Sequence, residues 1–379
     1  MLSNTFVFTE DMRTLNELFV SNGYELRLVG GCVRDALLGK VPKDIDMATT
    51  ATPDQMIAMC DSKVRPIATG YDHGTITMCV GDEKYEVTTL RVDAETDGRH
   101  AEVEYTTNWE VDAGRRDFTM NSMSMDFEGN VFDPFGGQDD IEKKIIRFVG
   151  DPVQRIEEDV LRILRFYRMG AKITWPHYDR PSRTAIRKFL QADEKALAPV
   201  SVERIWSELK MIFTSTDAFE VAENDGLFDM LIPGFVYTAP VVPDNTPNFV
   251  SPVSLIAAMV RHNVDQFCDM YCVSNDERKQ MKFIADNSFC MNEMDRIIDK
   301  LIDGTPVEWI TDILYMREKY ELLDKVRNTK VPEFPVRGQD LIDVGYKSGP
   351  AIGFMLKGMR EDWVKSGYTM SKNQLMMDM

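Results

Sequence analysis

The sequence predicts an α+β head followed by a helical remainder, and three observations lead to that fold class. Short apolar runs rich in β-branched residues alternate with helical patterns up to about residue 150. Beyond Asp151 strand signals fade, and EEDVLRILRFYRM, SRTAIRKFLQADEKAL and SVERIWSELKMIF carry apolar residues at helical spacing. Prolines cluster at 233–252 and mark a linker, after which the chain again reads as helical to its end. The predicted division is therefore 1–150, a head with a small β-sheet and helices; 151–235, helical; and 236–379, helical.

Taken in order, residues 1–23 read as an opening helix. LRLVGG (26–31) is a short buried strand running into a glycine turn, and CVRDALLG gives one or two helical turns ended by Gly39. IDMA is a second strand. PDQMIAMCD is a helix that starts after Thr52, an N-cap in front of Pro53. VRPIA, GTITMCV and KYEVTTLR are three further strands. No internal repeat or low-complexity segment interrupts the pattern.

At 379 residues the chain exceeds one ordinary core. With 44% hydrophobic and 28% charged residues it has the composition of a globular protein rather than a disordered or membrane-embedded one. No apolar run approaches the roughly 18 residues that cross a bilayer. The N-terminal residues are acidic where a signal peptide needs a basic stretch. Six cysteines (Cys32, Cys60, Cys79, Cys268, Cys272 and Cys290) are scattered without CxxC pairs, so reduced core thiols and a cytoplasmic location are expected. The net charge of −18 is unevenly spread. Residues 143–210 hold 15 basic and 9 acidic residues, a local net of +6, which leaves −24 elsewhere. That segment either attracts a polyanion or has the ordinary solvated faces of a helical region.

The chemistry concentrates in LVGGCVRDALLGKVPKDIDMATT. Asp44 and Asp46 are two residues apart, which on a strand puts both carboxylates on one side. Like charges so placed repel unless a cation lies between them, and strand-borne oxygen ligands suit Mg²⁺. Upstream, Gly30 and Gly31 allow a phosphate to approach the backbone closely, and Arg34 can neutralise it. Glu86, on the polar face of KYEVTTLR, either joins the metal site or is an exposed strand glutamate. In RRDFTMNSMSMD, Arg115 and Arg116 are either a phosphate pair or a solvated surface pair, while Asp117 and Asn121 offer groups suited to a ribose. On a continuous helix through EEDVLRILRFYRM, Asp159 and Arg162 share a face, with Glu158 four residues before Arg162. These are either helix-stabilising ion pairs or a reader of base edges. A carboxylate accepts from the amine of cytosine or adenine, a guanidinium donates to the neighbouring acceptor, and uracil and guanine present a carbonyl instead. Arg165 and Arg168 continue the row.

In this order the pieces resemble the class II tRNA nucleotidyltransferase and poly(A) polymerase family. GGCVRDALLGKVPKDIDMATT is similar to its glycine–arginine–DxD motif and RRDFTMNSMSMD to its ribose and phosphate motif. DPFGGQDDIEKKIIRFVGDP resembles its head-to-neck hinge, EEDVLRILRFYRM its base-reading motif and SVERIWSELKMIF the neck helix after it. FPVRGQDLIDVGYKSGPAIGFMLKGM resembles its tail motif, and 214–330 is the weakest match. The resemblance implies a seahorse-like row: a nucleotidyltransferase head (1–150), an all-helical neck (151–235), and a helical body and tail that bind tRNA (236–379). It implies Mg²⁺ held by Asp44 and Asp46 with Glu86 assisting, and triphosphate contacts from Gly30, Gly31, Arg34 and Arg116. Ribose contacts then fall to Asp117 and Asn121, base selection to Asp159 and Arg162, with Arg165 and Arg168 near the triphosphate. The expected partners are CTP, ATP and the tRNA 3′ end with its acceptor stem and elbow, with neither membrane nor obligatory protein partner.

The activity this implies is template-independent addition of CCA to tRNA by two-metal nucleotidyl transfer, with release of pyrophosphate. The segment 91–114, with DGRH inside it, resembles the flexible loop needed to switch from C to A addition. CC-only, A-only and poly(A) addition remain alternatives within the family, and a non-catalytic tRNA-binding module remains one outside its chemistry. None of His73, His100, His177 and His262 is followed by Asp, so no appended HD phosphohydrolase activity is expected.

Overall fold

A computed structural model describes residues 6–92, 104–173, 176–192, 200–232, 250–287, 294–328 and 332–377. The fold is α+β, and the chain divides into two compact units, Met1–Pro233 and Gly234–Met379. The DGRH segment, most of the proline cluster and Cys290 lie outside the described residues.

The first unit opens with α1 (Glu10–Ser21), where the Thr9 hydroxyl accepts from the Met12 N–H. β1 (Leu26–Val29) leads into α2 (Gly31–Leu37), and β2 (Asp46–Thr49) into α3 (Pro53–Ala58). The N-cap expected at Thr52 forms a full capping box with Gln55, and Pro53 occupies the first turn. β3 (Val64–Gly70), β4 (Thr75–Val80) and β5 (Glu83–Thr89) follow as an antiparallel meander. The short pair β6 (Arg91–Val92) and β7 (Glu104–Tyr105) precedes α4 (Trp109–Gly114). Next come β8 (Ser124–Met125), β9 (Val131–Phe132), α5 (Gly137–Glu142) and β10 (Ile145–Ile146). Among the described residues the main sheet runs β3-β4-β5-β2-β1-β8-β9. β8 and β9 went unread in the sequence because two residues are too few to show a period.

The sheet register decides which side chains reach which face. β2 and β5 pair in parallel with Asp46 opposite Glu86 and Met47 opposite Val87. Met47, Val87, Leu28 and Ile76 therefore enter one core with Leu15 and Phe19 of α1, each large side chain contributing about 1.5–3 kcal/mol by burial. Asp46 and Glu86 take the opposite face by the same period of two. The expectation that Asp44 and Asp46 share a strand is corrected. The chain joins the sheet only at Asp46, and Asp44 lies in the preceding bend, just after Pro42, which has no N–H to give a ladder.

Beyond residue 150 the unit continues as α6 (Pro152–Glu158), α7 (Leu161–Lys172), β11 (His177–Tyr178), α8 (Arg180–Ala192), α9 (Val202–Ile212), α10 (Thr216–Asn224) and α11 (Leu227–Leu231). This segment is not all-helical: β11 pairs in parallel with β10, across the boundary placed at residue 150. EEDVLRILRFYRM is not one helix either. Asp159 is extended (φ −151°, ψ 102°), and its Oδ1 accepts from the Leu161 N–H at 3.0 Å, so a short polar side chain competes with the helix for its own backbone. Phe118, Phe148 and Phe166 stack at centroid separations of 5.2 and 5.4 Å, and join the RRDFT segment, the strand end after β10 and α7.

The second unit is helical throughout its described residues. Leu341, Met359, Trp363 and Leu375 form a core near its end. In the helix Val307–Met316, Asp312 is buried and accepts from the Ser254 hydroxyl (2.6 Å) and the Ser251 N–H (3.3 Å). Burial pushes its carboxyl up to about 6 even though both hydrogen bonds favour the charged form. The folded state thus holds this proton more tightly than an unfolded chain, whose aspartates titrate near about 3.9. The stabilising contribution is complete below that unfolded value and is lost as pH rises through about 6. Asp312→Asn has no proton to lose. Urea denaturation should show the variant gaining on the natural protein by about 1–2 kcal/mol between roughly pH 4 and pH 7, whereas parallel pH profiles would show that Asp312 titrates normally.

Candidate active site

A cavity of about 390 Å³ opens in the first unit where the sheet, the RRDFT turn and the α6–α7 break converge. Gly30, Gly31 and Asp46 line it from the sheet side. Arg116, Asp117 and Asn121 enter from the turn after α4, and Asp159, Arg162 and Arg165 from the break and α7. Residues scattered over 136 positions of sequence are brought to one hollow. Arg91 and Arg115 also line it. Arg115 was visible as half of a possible phosphate pair, but nothing in the local pattern marks Arg91, which reaches the site through the step from β5 to β6.

Gly30 has φ +70°, and a Cβ there would stand 3.0 Å from Arg116 Nη1, so a side chain would be both strained and in the way. Asp112 of α4, nearly fully buried, organises the cationic wall. Its Oδ1 accepts from Arg115 Nε (2.8 Å), and its Oδ2 accepts from Arg116 Nη2 (3.0 Å). It also takes the Arg91 N–H at 3.3 Å. Burial opposes the charge on Asp112, but Arg116 and Arg115 outweigh it and hold the carboxyl below its ordinary range. Sequence reasoning missed this residue, because an aspartate three before a double arginine has no signature of its own.

Four residues expected at the site do not line the cavity. Arg34 is buried behind it: Nε and Nη2 bind Asp35, and Nη1 donates to Asn121 Oδ1 at 2.6 Å. That bond leaves Asn121 Nδ2 to donate to Asp117 Oδ1 at 3.0 Å, so Arg34 orients the amide. Arg165 completes this line with an ion pair to Asp117 Oδ2 at 2.7 Å. Arg168 pairs with Glu208 on α9 at 3.0 Å. Asp44 and Glu86 stand outside the lining but act on Asp46 electrostatically. Loss of hydration first, then Glu86, raise the Asp46 carboxyl above its usual range; Arg116 opposes this and Asp44 adds to it.

That repulsion is the observation against which a divalent cation is tested, and the donor set fits one. Glu86 and Asp44 both repel the Asp46 carboxylate, and a hard cation with oxygen ligands relieves that repulsion. Among the described residues no three His, Cys, Asp or Glu side chains close into a cage, so such an ion would need oxygens from its substrate as well.

The basic segment 143–210 spends much of its charge internally. Arg155 and Arg162 pair with Glu158, Arg183 and Arg187 with Asp225, Arg147 with Asp140, and Arg204 with Asp159 at 3.6 Å. Of the two readings of the Asp159 and Arg162 region, the helix ion pair is present in the structure. Arg162 makes the helix ion pair with Glu158 at 2.6 Å and still faces the cavity.

Residues 26–147 match the family model described as the Poly A polymerase head domain. The chain is 39% identical to the human (Homo sapiens) CCA tRNA nucleotidyltransferase 1, mitochondrial, across 98% of this chain and 90% of that protein. It is 43% identical to a CCA-adding enzyme of Oceanobacillus iheyensis over 56% of this chain and 51% of that one. Among solved structures, the Bacillus stearothermophilus CCA-adding enzyme in complex with CTP superposes with a TM-score of 0.75 at 25% identity, covering 95% of this chain and 94% of that chain. Among the described residues no helix is long and apolar enough to cross a membrane. With a relative at this identity over nearly the full length of both chains, the chain belongs to the CCA tRNA nucleotidyltransferases, enzymes whose chemistry depends on a divalent metal ion.

Proposed function

We propose that this protein adds CCA to the 3′ end of tRNA, using CTP and ATP and releasing pyrophosphate. One observation carries the reading: a single cavity joins a strand-borne carboxylate, an arginine wall, and an aspartate–arginine pair able to read a base edge. Arg91, Arg115 and Arg116 would take the triphosphate, held at fixed spacing by Asp112. Asp117 and Asn121, already oriented through Arg34, would bind the ribose hydroxyls.

Base choice falls to Asp159 and Arg162. Arg162 spends three of its five N–H donors on Glu158, the Arg155 carbonyl and the Arg115 carbonyl, which leaves Nε–H and one Nη2–H for a base edge. Asp159 keeps acceptor capacity on Oδ2, 3.6 Å from Arg204. Cytosine and adenine both place an amine beside a ring acceptor and satisfy this pair, whereas uracil would leave it mismatched.

Asp46 and Asp44, with Glu86 beside them, would hold Mg²⁺. Bound there, the ion would supply activation of the attacking hydroxyl and neutralisation of the departing pyrophosphate. In the transfer itself the RNA 3′ oxygen forms a bond to the α-phosphorus, and the bond to the bridging oxygen of the β-phosphate breaks. The residues of the chain contribute positioning and charge stabilisation, with no covalent nucleophile. The acceptor stem and elbow of tRNA are the remaining partner surfaces in this reading, and no obligatory protein partner is included. A cytoplasmic location is likewise proposed: the five described cysteines are free thiols, as a reducing compartment keeps them. Fractionation checks this against the mitochondrial compartment in the name of the human relative.

The decisive experiment extends a tRNA ending at the discriminator base with CTP, ATP, UTP or GTP, singly and mixed, in Mg²⁺. Addition of C, C and A followed by a stop is expected. A long A tail would make it a poly(A) polymerase, a halt after two residues a CC-adding enzyme, and no extension a binding module. Asp46→Asn should lower the extension rate by at least about 100-fold while tRNA binding persists; an active variant would remove Asp46 from the chemistry. Asp159→Ala should cut the preference for CTP over UTP by about 10-fold, and unchanged selectivity would remove it from base reading. Asp112→Asn should raise the KM for CTP by about 10-fold, and an unaltered KM would mean the arginines hold their positions without it.

A further inference from the structure

We propose that Arg155 is a positioning residue that sets nucleotide selectivity by holding the base-reading segment in register with the arginine turn at 115–116. Arg155 is buried on α6 and does not line the cavity. Its Nη2 donates to the backbone carbonyls of both Arg115 and Arg116, the latter at 3.0 Å. Its Nη1 donates to Glu158 Oε2, the same oxygen that accepts from Arg162 Nη1 at 2.6 Å. Arg162 closes the circuit, donating to the Arg155 carbonyl at 2.8 Å and to the Arg115 carbonyl at 3.3 Å. The base reader and the two arginines on the phosphate wall are therefore tied to one buried guanidinium behind them.

The tie has a chemical consequence different from plain stabilisation. The side chains of Arg115 and Arg116 are fixed by Asp112, and their backbone is fixed by Arg155. A nucleotide anchored by its phosphates offers its base at a set distance, and cytosine differs from uracil there only in donor and acceptor polarity. Discrimination then depends on how accurately Arg162 is registered against the phosphate anchor. A misplacement of about 1 Å costs on the order of 100-fold in correct reaction, and the wrong base, which was never well paired, loses less. Lysine at 155 keeps a cation in a similar volume but lacks the planar fork that spans two carbonyls and a carboxylate.

This inference rests on the CCA-addition reading. The test compares kcat/KM for CTP and for UTP in single-nucleotide extension of tRNA by the unaltered protein, Arg155→Lys and Arg155→Met, each checked by thermal melting. Arg155→Lys should keep its fold and lose roughly 10-fold in the CTP to UTP ratio, with Arg155→Met losing more. A folded Arg155→Lys that is slower yet keeps the original ratio would reduce Arg155 to a structural role and overturn the proposal. Unfolding of both variants would do the same, because stability alone would then explain the residue. Absence of CTP incorporation by the unaltered protein would overturn the reading of the site, and this inference with it; altered selectivity confined to the variants separates the two failures.

Discussion

The stacking of Phe118, Phe148 and Phe166 is the contact on which the site depends. The three rings are fully buried and belong to three stretches: the turn carrying Asp117 and Asn121, the strand end after β10, and the helix carrying Arg162 and Arg165. Rings at these separations add about 0.5–1.5 kcal/mol per pair beyond the burial of their area. Around them the backbone is laced: Thr119 N–H donates to the Arg147 carbonyl, and Val149 N–H to the Asp117 carbonyl. Loss of this packing would leave the ribose-facing turn tied to the base-reading helix by polar contacts alone, such as the Arg165 ion pair with Asp117 at 2.7 Å.

Electrostatics then divides the site into two halves with opposite needs. The Asp46 carboxyl is raised, first by lost hydration and then by Glu86. Across the cavity the Arg115 and Arg116 guanidiniums share the charge of Asp112, which also accepts from the backbone N–H of Arg91. A ligand carrying both phosphates and a hard cation satisfies both halves together, and neither half alone is balanced without it. The net charge of −18 is no obstacle to this arrangement, because the local field at the cavity is set by these few residues.

Much of the fold was legible in the sequence where the chain obeys a single period. α1, α3 with its Thr52 cap, and β1 to β5 follow from apolar spacing and capping chemistry. In most of the misreadings a local signal was overruled by tertiary structure, and at Asp159 one local signal overruled another. Asp44 fell out of the strand because the ladder begins at the Asp46–Glu86 pair. The helix through Asp159 broke because its carboxylate captured the Leu161 N–H. Arg34 holds Asp35 and also Asn121, a contact 87 residues away that no spacing rule reveals. Asp112 and Arg155 stayed hidden for the same reason: each acts through residues that touch the cavity, and neither touches it directly.

The parallel pairing of β2 with β5 also limits how this gene can change. Asp46 and Glu86 face each other only because β5 alternates between exposed and buried side chains from Lys84 to Thr89. A single codon gained or lost inside β5 would rotate Val87 onto the carboxylate face and drive a charge into the core beneath α1. The same event in the turn between β3 and β4 would leave both faces intact. Lineages descended from this protein should therefore accumulate length variation at such turns, while the reading frame through residues 83–89 stays closed to insertion and deletion even where individual side chains drift.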